Sequence, residues 1–334
     1  RNYKAATRDL ARYYYSLETE EDNRKALDYY LQYIEYNPKD TDTLLHIGLI
    51  YESGLGVPLN IDLARRYYER AAEQDETGMA YNFLGGTYMN DEETENNERK
   101  AVHYFQKAIE LGNTNAMFRI SYYLHNGKGG LQVDIPREIE LLTEASKRGN
   151  HQATYRLGLL FEDNESGMAQ NLELSVKYFQ LAADNGILAA INKMGELYLF
   201  GEVIPANLTK AISCFTAASE QGYGKASYWL GRLHTDGIGQ LEKDTQKAMN
   251  YYRKAIEQGY EEAREWMEQL QKNLVDETIT DIEIPQDKSD EELYKEAKNA
   301  LEKAQFKTAY AYFSYLTQRN HAESFNELGD MYFY

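Results

Sequence analysis

Apolar side chains recur along this chain three and four positions apart, which is the spacing of one face of an α-helix. Residues 226–259 show the arrangement in one unit. The first predicted helix carries small and apolar residues at Ala226, Trp229, Leu230 and Leu233. After a turn at residues 236–239, the second carries them at Ala248, Tyr251, Tyr252, Ala255 and Ile256. Gly259 follows where glycine commonly ends a helix, and no strand-like alternation recurs, so the pattern predicts an all-α fold.

Small residues return in register every 36 or 37 positions. The alanines form two ladders, one of Ala80, Ala116, Ala153, Ala190, Ala226 and Ala263, and one of Ala71, Ala108, Ala145, Ala182, Ala218 and Ala255. The repeat glycines are Gly48, Gly85, Gly158, Gly195 and Gly231, with Ser121 on the remaining rung. Small residues let helices approach closely, and a helix pair too small to bury its own apolar face must stack on its neighbours. The sequence therefore predicts an α-solenoid, a right-handed superhelix of tandem antiparallel helix pairs.

The repeated unit resembles the Sel-1-like repeat, a branch of the tetratricopeptide superfamily. That motif opens A-x-x-x-L-G-x-x-Y, turns at G-x-G and continues K-A-x-x-[WY]-[YF]-x-x-A-A-x-x-G. Met194-Gly195 to Tyr198, followed by Lys210-Ala211, is one of the matches. The resemblance covers residues 40–272 as six repeats plus the start of a further helix, and it implies a solenoid that binds other proteins.

The regions outside these repeats deviate from the motif. Residues 1–39 are predicted to form a looser tetratricopeptide-like helix pair. Residues 273–289 are acidic and lose the helical spacing, so they are predicted to be a linker or, alternatively, an extended segment lying in a groove. Residues 290–334 predict a further helix pair and the start of a truncated repeat at Leu328-Gly329, so the array is expected to continue beyond the chain. The fourth repeat has Asp163-Asn164-Glu165 where a G-x-G turn is expected.

Charge narrows the class of partner. The chain has 36 basic and 54 acidic residues, for a net charge of −18. This field repels nucleic acids and anionic membrane surfaces. No apolar run approaches the ~18 residues that would span a bilayer. We therefore expect a protein or peptide partner, of basic character, with no nucleic-acid binding and no membrane insertion.

The residues that usually carry chemistry form no recognisable set. No two of the six histidines have H-x-x-x-H spacing, and Cys214 is the only cysteine, so neither a Cys/His zinc site nor an internal disulfide is predicted. The G-x-G sequences follow predicted helices rather than strands, so they are interpreted as turns between helices. No cofactor, metal or catalytic activity is expected, and Cys214 is predicted to be a buried thiol.

Two features of the sequence favour different cellular compartments, so the localisation stays open. A single cysteine suits a reducing compartment and favours the cytoplasm. Sequons at Asn164 and Asn207 allow a luminal site in the endoplasmic reticulum or secretion.

The candidate binding residues follow from the resemblance. In tetratricopeptide solenoids the first helix of each pair lines the concave face, at positions three residues before and one residue after the repeat glycine. The candidates at these positions are Asn82, Phe118, Tyr122, Tyr155, Asn192, Glu196, Tyr228 and Arg232. The asparagines are either peptide-binding groups or part of an ordinary polar surface. The aromatic residues are favoured as exposed anchors, so Phe118→Ala with Tyr155→Ala is expected to weaken binding and barely change stability.

The predicted function is a scaffold or adaptor that binds a partner protein through its concave face. The alternative is a non-catalytic regulatory or substrate-recruiting arm, either of a catalytic domain outside this chain or of an enzyme complex. A luminal adaptor of a ubiquitin ligase in the endoplasmic reticulum is the example that the resemblance suggests.

Overall fold

The computed structural model describes residues 2–163, 170–238, 241–279, 282, 284–285, 287–303, 305–324 and 327. These residues form helices and contain no strand. The chain divides into two compact units, residues 1–190 and 191–334. The helices are α1 (Asn2–Tyr15), α2 (Glu20–Tyr36), α3 (Thr41–Ser53), α4 (Ile61–Ala72), α5 (Met79–Met89), α6 (Glu95–Glu110), α7 (Thr114–Asn126), α8 (Ile135–Lys147), α9 (His151–Glu162), α10 (Leu172–Asp184), α11 (Leu188–Phe200), α12 (Leu208–Glu220), α13 (Gly224–Asp236), α14 (Thr245–Glu257), α15 (Ala263–Ile279), α16 (Asp290–Glu302) and α17 (Phe306–Gln318).

Within each unit, a helix packs chiefly against the next helix in the chain. The first helices of the repeats are α3, α5, α7, α9, α11 and α13, and each is followed by its antiparallel second helix. Every alanine of the two ladders has no solvent exposure. The small residues therefore lie where neighbouring helices approach each other, as the sequence predicts, and the all-α helix-pair architecture is confirmed.

Hydrogen bonds close the turn between the two helices in five of the six repeats from α3 to α14. The backbone N–H of the residue before the second helix donates to a carbonyl near the end of the first helix, as in Asn60 to Tyr51 (2.8 Å) and Asp134 to Leu124 (2.9 Å). The same residue then caps the second helix, because its side-chain oxygen accepts the N–H three positions on. Such a cap contributes about 1 kcal/mol to the stability of a helix.

Aromatic rings of the second helices pack directly on the repeat glycines. The pairs are Tyr68 on Gly48, Phe105 on Gly85, Phe179 on Gly158, Phe215 on Gly195 and Tyr252 on Gly231. A Cβ atom at Gly85 would lie 2.5 Å from the Phe105 ring, a distance that real Cβ atoms do not reach. In the third predicted repeat, Ser121 replaces the glycine and the buried Leu142 replaces the aromatic residue. The first helix thus has a larger residue at this contact, and the second helix has a smaller one.

The helix α15 corrects one predicted boundary. It continues to Ile279, seven residues into the segment 273–289 that was predicted as a linker. No glycine or proline occurs between Gly259 and Pro285, so losing the apolar spacing did not end the helix. Helix α17 also contacts α15, which brings the helices on either side of this segment together. The predicted helix start after Ser289 is confirmed, since Ser289 and Glu292 form a capping box.

Three predicted features lie outside the described residues. They are the Asn164-Glu165 part of the turn in the fourth repeat, the sequon at Asn164, and the truncated repeat beginning at Leu328-Gly329.

The adjacent glycines of α5 provide a test of the ring-on-glycine packing. We expect Gly85→Ala to lower the free energy of unfolding by about 1–3 kcal/mol, because its Cβ atom meets the buried Phe105 ring. We expect Gly86→Ala to leave it unchanged or raise it by up to ~1 kcal/mol, because its Cβ atom meets only the end of the Arg119 side chain and alanine favours the helix. Urea denaturation measures both values, and equal losses would contradict this account.

Candidate partner-binding surface

All eight candidate residues lie on first helices. Asn82 lies on α5, Phe118 and Tyr122 on α7, Tyr155 on α9, Asn192 and Glu196 on α11, and Tyr228 and Arg232 on α13. The helices α5, α7, α9 and α13 each pack against their own second helix and also against the second helix of the repeat before. Burial from two sides leaves only part of each first helix open to solvent, so these positions differ in what they can bind.

The two asparagines are buried rather than displayed. Asn82 is 4% exposed and Asn192 is 2% exposed. In each case the side-chain Oδ1 atom is buried and has no hydrogen-bond partner among the described residues. The Nδ2 atom of Asn192 donates to Glu196 Oε1 at 2.9 Å. The expectation of solvent-facing asparagines is therefore wrong, because this position turns toward the packed interior.

Three of the four aromatic candidates belong to the packing of the fold. Phe118 is half-buried against the core of its unit, and the Tyr155 ring lies 5.7 Å from the Phe179 ring. Tyr228 contacts the rings of Trp229, Tyr252, Tyr260 and Trp266. Only Tyr122 is exposed, at 41%. The expected exposure of Phe118 and Tyr155 is wrong, and replacing both by alanine would remove core contacts as well as any contact with a partner.

The two charged candidates are held by other side chains of their own unit. Glu196 accepts hydrogen bonds from Trp229 Nε1 (2.9 Å) and Lys225 Nζ (2.8 Å). Burial lowers the pKa of Lys225, but the hydrogen bond to Glu196 and the acidic groups around Lys225 together outweigh burial, so this pKa is raised. Arg232 stacks 3.8 Å above the Trp266 ring and donates to the hydroxyl of Tyr228. Both residues thus stabilise contacts between neighbouring first helices.

A cleft that contains none of the eight predicted residues opens across α3, α5 and α7. Its volume is about 580 Å³. The cleft, here called the Arg119 cleft, is lined by Leu49, Glu52, Ser53, Leu59, Ile61, Phe83, Gly86, Thr87, Asn90, Asp91 and Arg119. Leu49 and Gly86 each follow a repeat glycine, so this position, one of the two predicted to face a partner, does line an open surface.

The two acidic groups of the Arg119 cleft already have partners. Asp91 pairs with Arg65 at 2.7 Å, and this hydrogen bond lowers the pKa of Asp91. Glu52 accepts a hydrogen bond of 2.6 Å from the hydroxyl of Tyr68. Arg119, in contrast, has no hydrogen bond or ion pair with any described residue, and its guanidinium lies over Gly86.

A second cleft, of about 360 Å³, opens between α7 and α9. It is lined by His125, Arg156, Leu159, Leu160, Glu162 and Asp163. Beneath it, Glu138 is fully buried and receives Arg156 on one carboxylate oxygen, at 3.1 Å, and His125 Nδ1 on the other, at 2.9 Å. Glu138 occupies a rung where the other repeats have Ala64, Ala101, Ser175, Ala211 and Ala248. A glutamate on this small-residue rung was the sequence signal for the charged cluster.

Other predicted features are located as follows. Cys214 is half-buried rather than fully buried, and burial raises the pKa of its thiol. Asn207 caps α12 through its side chain. Within the part of the chain that the structure describes, no group of three or more histidine, cysteine, aspartate or glutamate side chains is placed to hold a metal ion. No described helix combines the length and apolarity needed to cross a membrane.

The buried Glu138 gives a prediction with an internal control. We expect Arg156→Met to lower the free energy of unfolding by about 3 kcal/mol, because it strips a buried carboxylate of its main partner. Glu138→Ala should cost less, since it restores the common residue of the rung and leaves Arg156 able to reach water. The double variant should recover most of the loss. Chemical denaturation of all three tests this, and a larger loss for Glu138→Ala would contradict it.

Known proteins share this repeat. Two solved structures align with the chain. The protective antigen c5321 of uropathogenic Escherichia coli has a TM-score of 0.61 at 21% identity, covering 99% of this chain and 64% of that one. A Sel1 repeat protein from Oxalobacter formigenes has a TM-score of 0.66 at 22% identity, covering 74% of this chain and 98% of that one. At such identities the likeness concerns the fold.

Two curated proteins match over shorter stretches. The Sel1-repeat-containing protein YjcO of Escherichia coli is 33% identical over 78 residues, which are 23% of this chain and 34% of YjcO. Protein sel-1 homolog 2 of Rattus norvegicus is 40% identical over 70 residues, which are 21% of this chain and 10% of the rat protein. The chain thus spans about a third or less of these relatives.

The family match is much broader. The Sel1 repeat matches seven segments, at residues 4–32, 43–76, 78–113, 114–150, 151–187, 188–223 and 224–260. The match at residues 4–32 adds a seventh repeat to the six predicted, in the helix pair that was interpreted as a looser tetratricopeptide-like pair. Because these seven segments make up most of its length, the chain belongs to the Sel1 repeat family.

Proposed function

We propose that this chain is a non-catalytic scaffold that binds a partner protein through the open side of its first helices. The observation that carries the proposal is the position of the two clefts in residues 1–190. Both open on first helices, and both are lined by the residue that follows a repeat glycine, namely Leu49, Gly86 or Leu159. Proteins of the Sel1 repeat family are generally protein–protein interaction scaffolds.

The chemistry of this position supports the proposal. The residue before each repeat glycine, or before Ser121, is apolar and buried in all six repeats. The residue after it is a leucine, a glycine, a tyrosine, a glutamate or an arginine. Packing does not demand such variety. A surface that carries different side chains on a regular frame is suited to selecting one extended partner among many.

The Arg119 cleft has the mixed lining of a protein-binding site. Leu49, Leu59 and Phe83 supply apolar area, while Ser53 and Asn90 supply hydrogen-bonding groups. Leu59 is 63% exposed although it is a large aliphatic residue. Apolar contacts bordered by polar groups are characteristic of protein interfaces.

A matched pair of leucine and valine positions tests this function. Leu59 and Val133 each precede the N-cap of a second helix, and they are 63% and 61% exposed, but only Leu59 lines a described cleft. Peptides are selected with the whole chain from a displayed library of random linear sequences, and their affinities are measured by calorimetry. We expect Leu59→Lys to weaken the selected peptides by about tenfold or more, because it places a charge on the apolar lining.

Val133→Lys is the control and should leave these affinities unchanged. Neither substitution should move the melting temperature, because both side chains are already in solvent. Equal effects of the two variants, or a selection that enriches no peptide sensitive to Leu59→Lys, would contradict the proposed function.

The net charge of −18 supports a partner of net basic character. Long-range attraction between opposite charges speeds association and is screened by salt. We therefore expect the association rate of the natural partner to fall as sodium chloride is raised from low to physiological concentration, which surface plasmon resonance measures. A rate that does not change with salt would show that the overall field has no part in recognition.

A further inference from the structure

Arg119 is the charged group of the Arg119 cleft that the fold leaves uncompensated. Its neighbour Arg65 donates to Asp91 and Thr87 and stacks 3.9 Å above the Tyr88 ring. Arg119 has no comparable contact among the described residues, although it is only partly exposed. A guanidinium presents up to five N–H donors, so an unoccupied one in a cleft is a site for an acceptor.

The next repeat shows what an arginine at this position binds. Arg156 lies 37 residues after Arg119, two positions before its repeat glycine, and it pairs with Glu138, 18 residues earlier. The residue 18 positions before Arg119 is Ala101, which is fully buried and carries no acceptor in its side chain. Arg156 therefore has a carboxylate partner on the second helix of the repeat before it, whereas no described residue gives one to Arg119, which holds the same position.

Gly86 directs Arg119 into the cleft. A Cβ atom at Gly86 would lie 2.5 Å from Arg119 Nη1, so the guanidinium occupies the space that a side chain would fill. The equivalent residues of the neighbouring repeats are Leu49, Tyr122 and Leu159, all of them large. The missing side chain at Gly86 leaves room for the guanidinium, which lines the cleft there.

We propose that this cleft binds an extended segment of the partner through a glutamate or aspartate side chain seated on Arg119. The inference rests on the proposed function and specifies its partner. Two parallel N–H···O bonds between a guanidinium and a carboxylate are among the strongest and most directional contacts available to the cleft. An apolar side chain next to the acid packs on Leu49 and Phe83, and Asn90 is placed to bond the peptide backbone.

The carboxylate is assigned to a side chain rather than to a chain terminus because the arginine–carboxylate pair at this position in the chain, Arg156 with Glu138, uses a side chain. The cleft reaches from Arg119 on α7 over α5 to α3, so residues next to the acid can lie along it. The net charge of −18 requires the acid to be isolated, within a segment that is otherwise uncharged or basic.

The test uses the selected peptides, synthesised with free and with amidated C termini, and calorimetry with the whole chain. We expect them to contain an acidic residue beside a large apolar one. Replacing that acid by its amide, or Arg119→Gln in the protein, should each weaken binding by about tenfold or more. The two changes together should cost little more than either alone, because both remove the same contact. Amidation of the C terminus should have no effect.

Two further variants separate the contact from general effects. Arg66→Gln removes the same charge from an exposed arginine of α4 that makes no hydrogen bond or ion pair with described residues, and it should leave the affinity unchanged. Gly86→Leu introduces leucine, the residue found at this position in two other repeats as Leu49 and Leu159. It should abolish peptide binding and leave the melting temperature unchanged.

The outcomes distinguish the inference from the function. If Leu59→Lys weakens the peptides but Arg119→Gln has no more effect than Arg66→Gln, the cleft binds partners without this carboxylate and the inference is wrong. Binding that is lost on C-terminal amidation and insensitive to the acidic side chain also overturns it. A selection without peptides that depend on Leu59 overturns the proposed function and the inference together.

Discussion

The contact between an aromatic ring and the bare backbone of a repeat glycine determines the geometry of the five repeats that carry this glycine. The first helix can approach the second this closely only because the glycine has no Cβ atom, which would overlap the ring. The contact also sets the rotation of the first helix. Successive residues of an α-helix are turned by about 100°, so the residue after the glycine points to a different side of the helix from the ring. Leu49, Gly86 and Leu159 stand at this position and line the two clefts.

Electrostatics distinguishes repeats that packing makes alike. Arg119 and Arg156 occupy the same position, but among the residues that the structure describes only Arg156 meets a carboxylate. A buried glutamate adds little net stability once its desolvation is counted, so Glu138 is better explained by the order it imposes on Arg156 and His125. The repeat without this glutamate keeps an arginine whose binding capacity is available to another molecule.

Much of the fold follows from the sequence, because ladders of alanine and glycine report close helix contacts directly. The candidate residues were harder to predict. Position within a repeat showed which residues face neighbouring helices, but not that Asn82 is buried or that the Tyr155 ring packs on Phe179 of the second helix. The Arg119 cleft depends on two groups that are absent: Gly86 has no side chain, and Ala101 stands where the next repeat has a glutamate. An absent group is hard to recognise in a pattern of apolar positions. The predicted linker began too early, because α15 continues to Ile279 although the apolar spacing is lost. A helix can continue without an apolar face when no residue interrupts it.

The paired change of Ser121 and Leu142 bears on how such a chain can grow and diverge. Since the residue on the first helix and its counterpart on the second lie in the same repeat, a duplicated or deleted unit takes both residues with it and keeps its internal packing. The pairing of Glu138 with Arg156 crosses from one repeat to the next. A duplication boundary between α8 and α9 would separate the two, leaving one copy with a buried acid and the other with an unoccupied arginine. The packing inside a repeat is thus independent of its place in the array. The order of the repeats, in contrast, decides whether an arginine at this position finds a carboxylate in the neighbouring repeat.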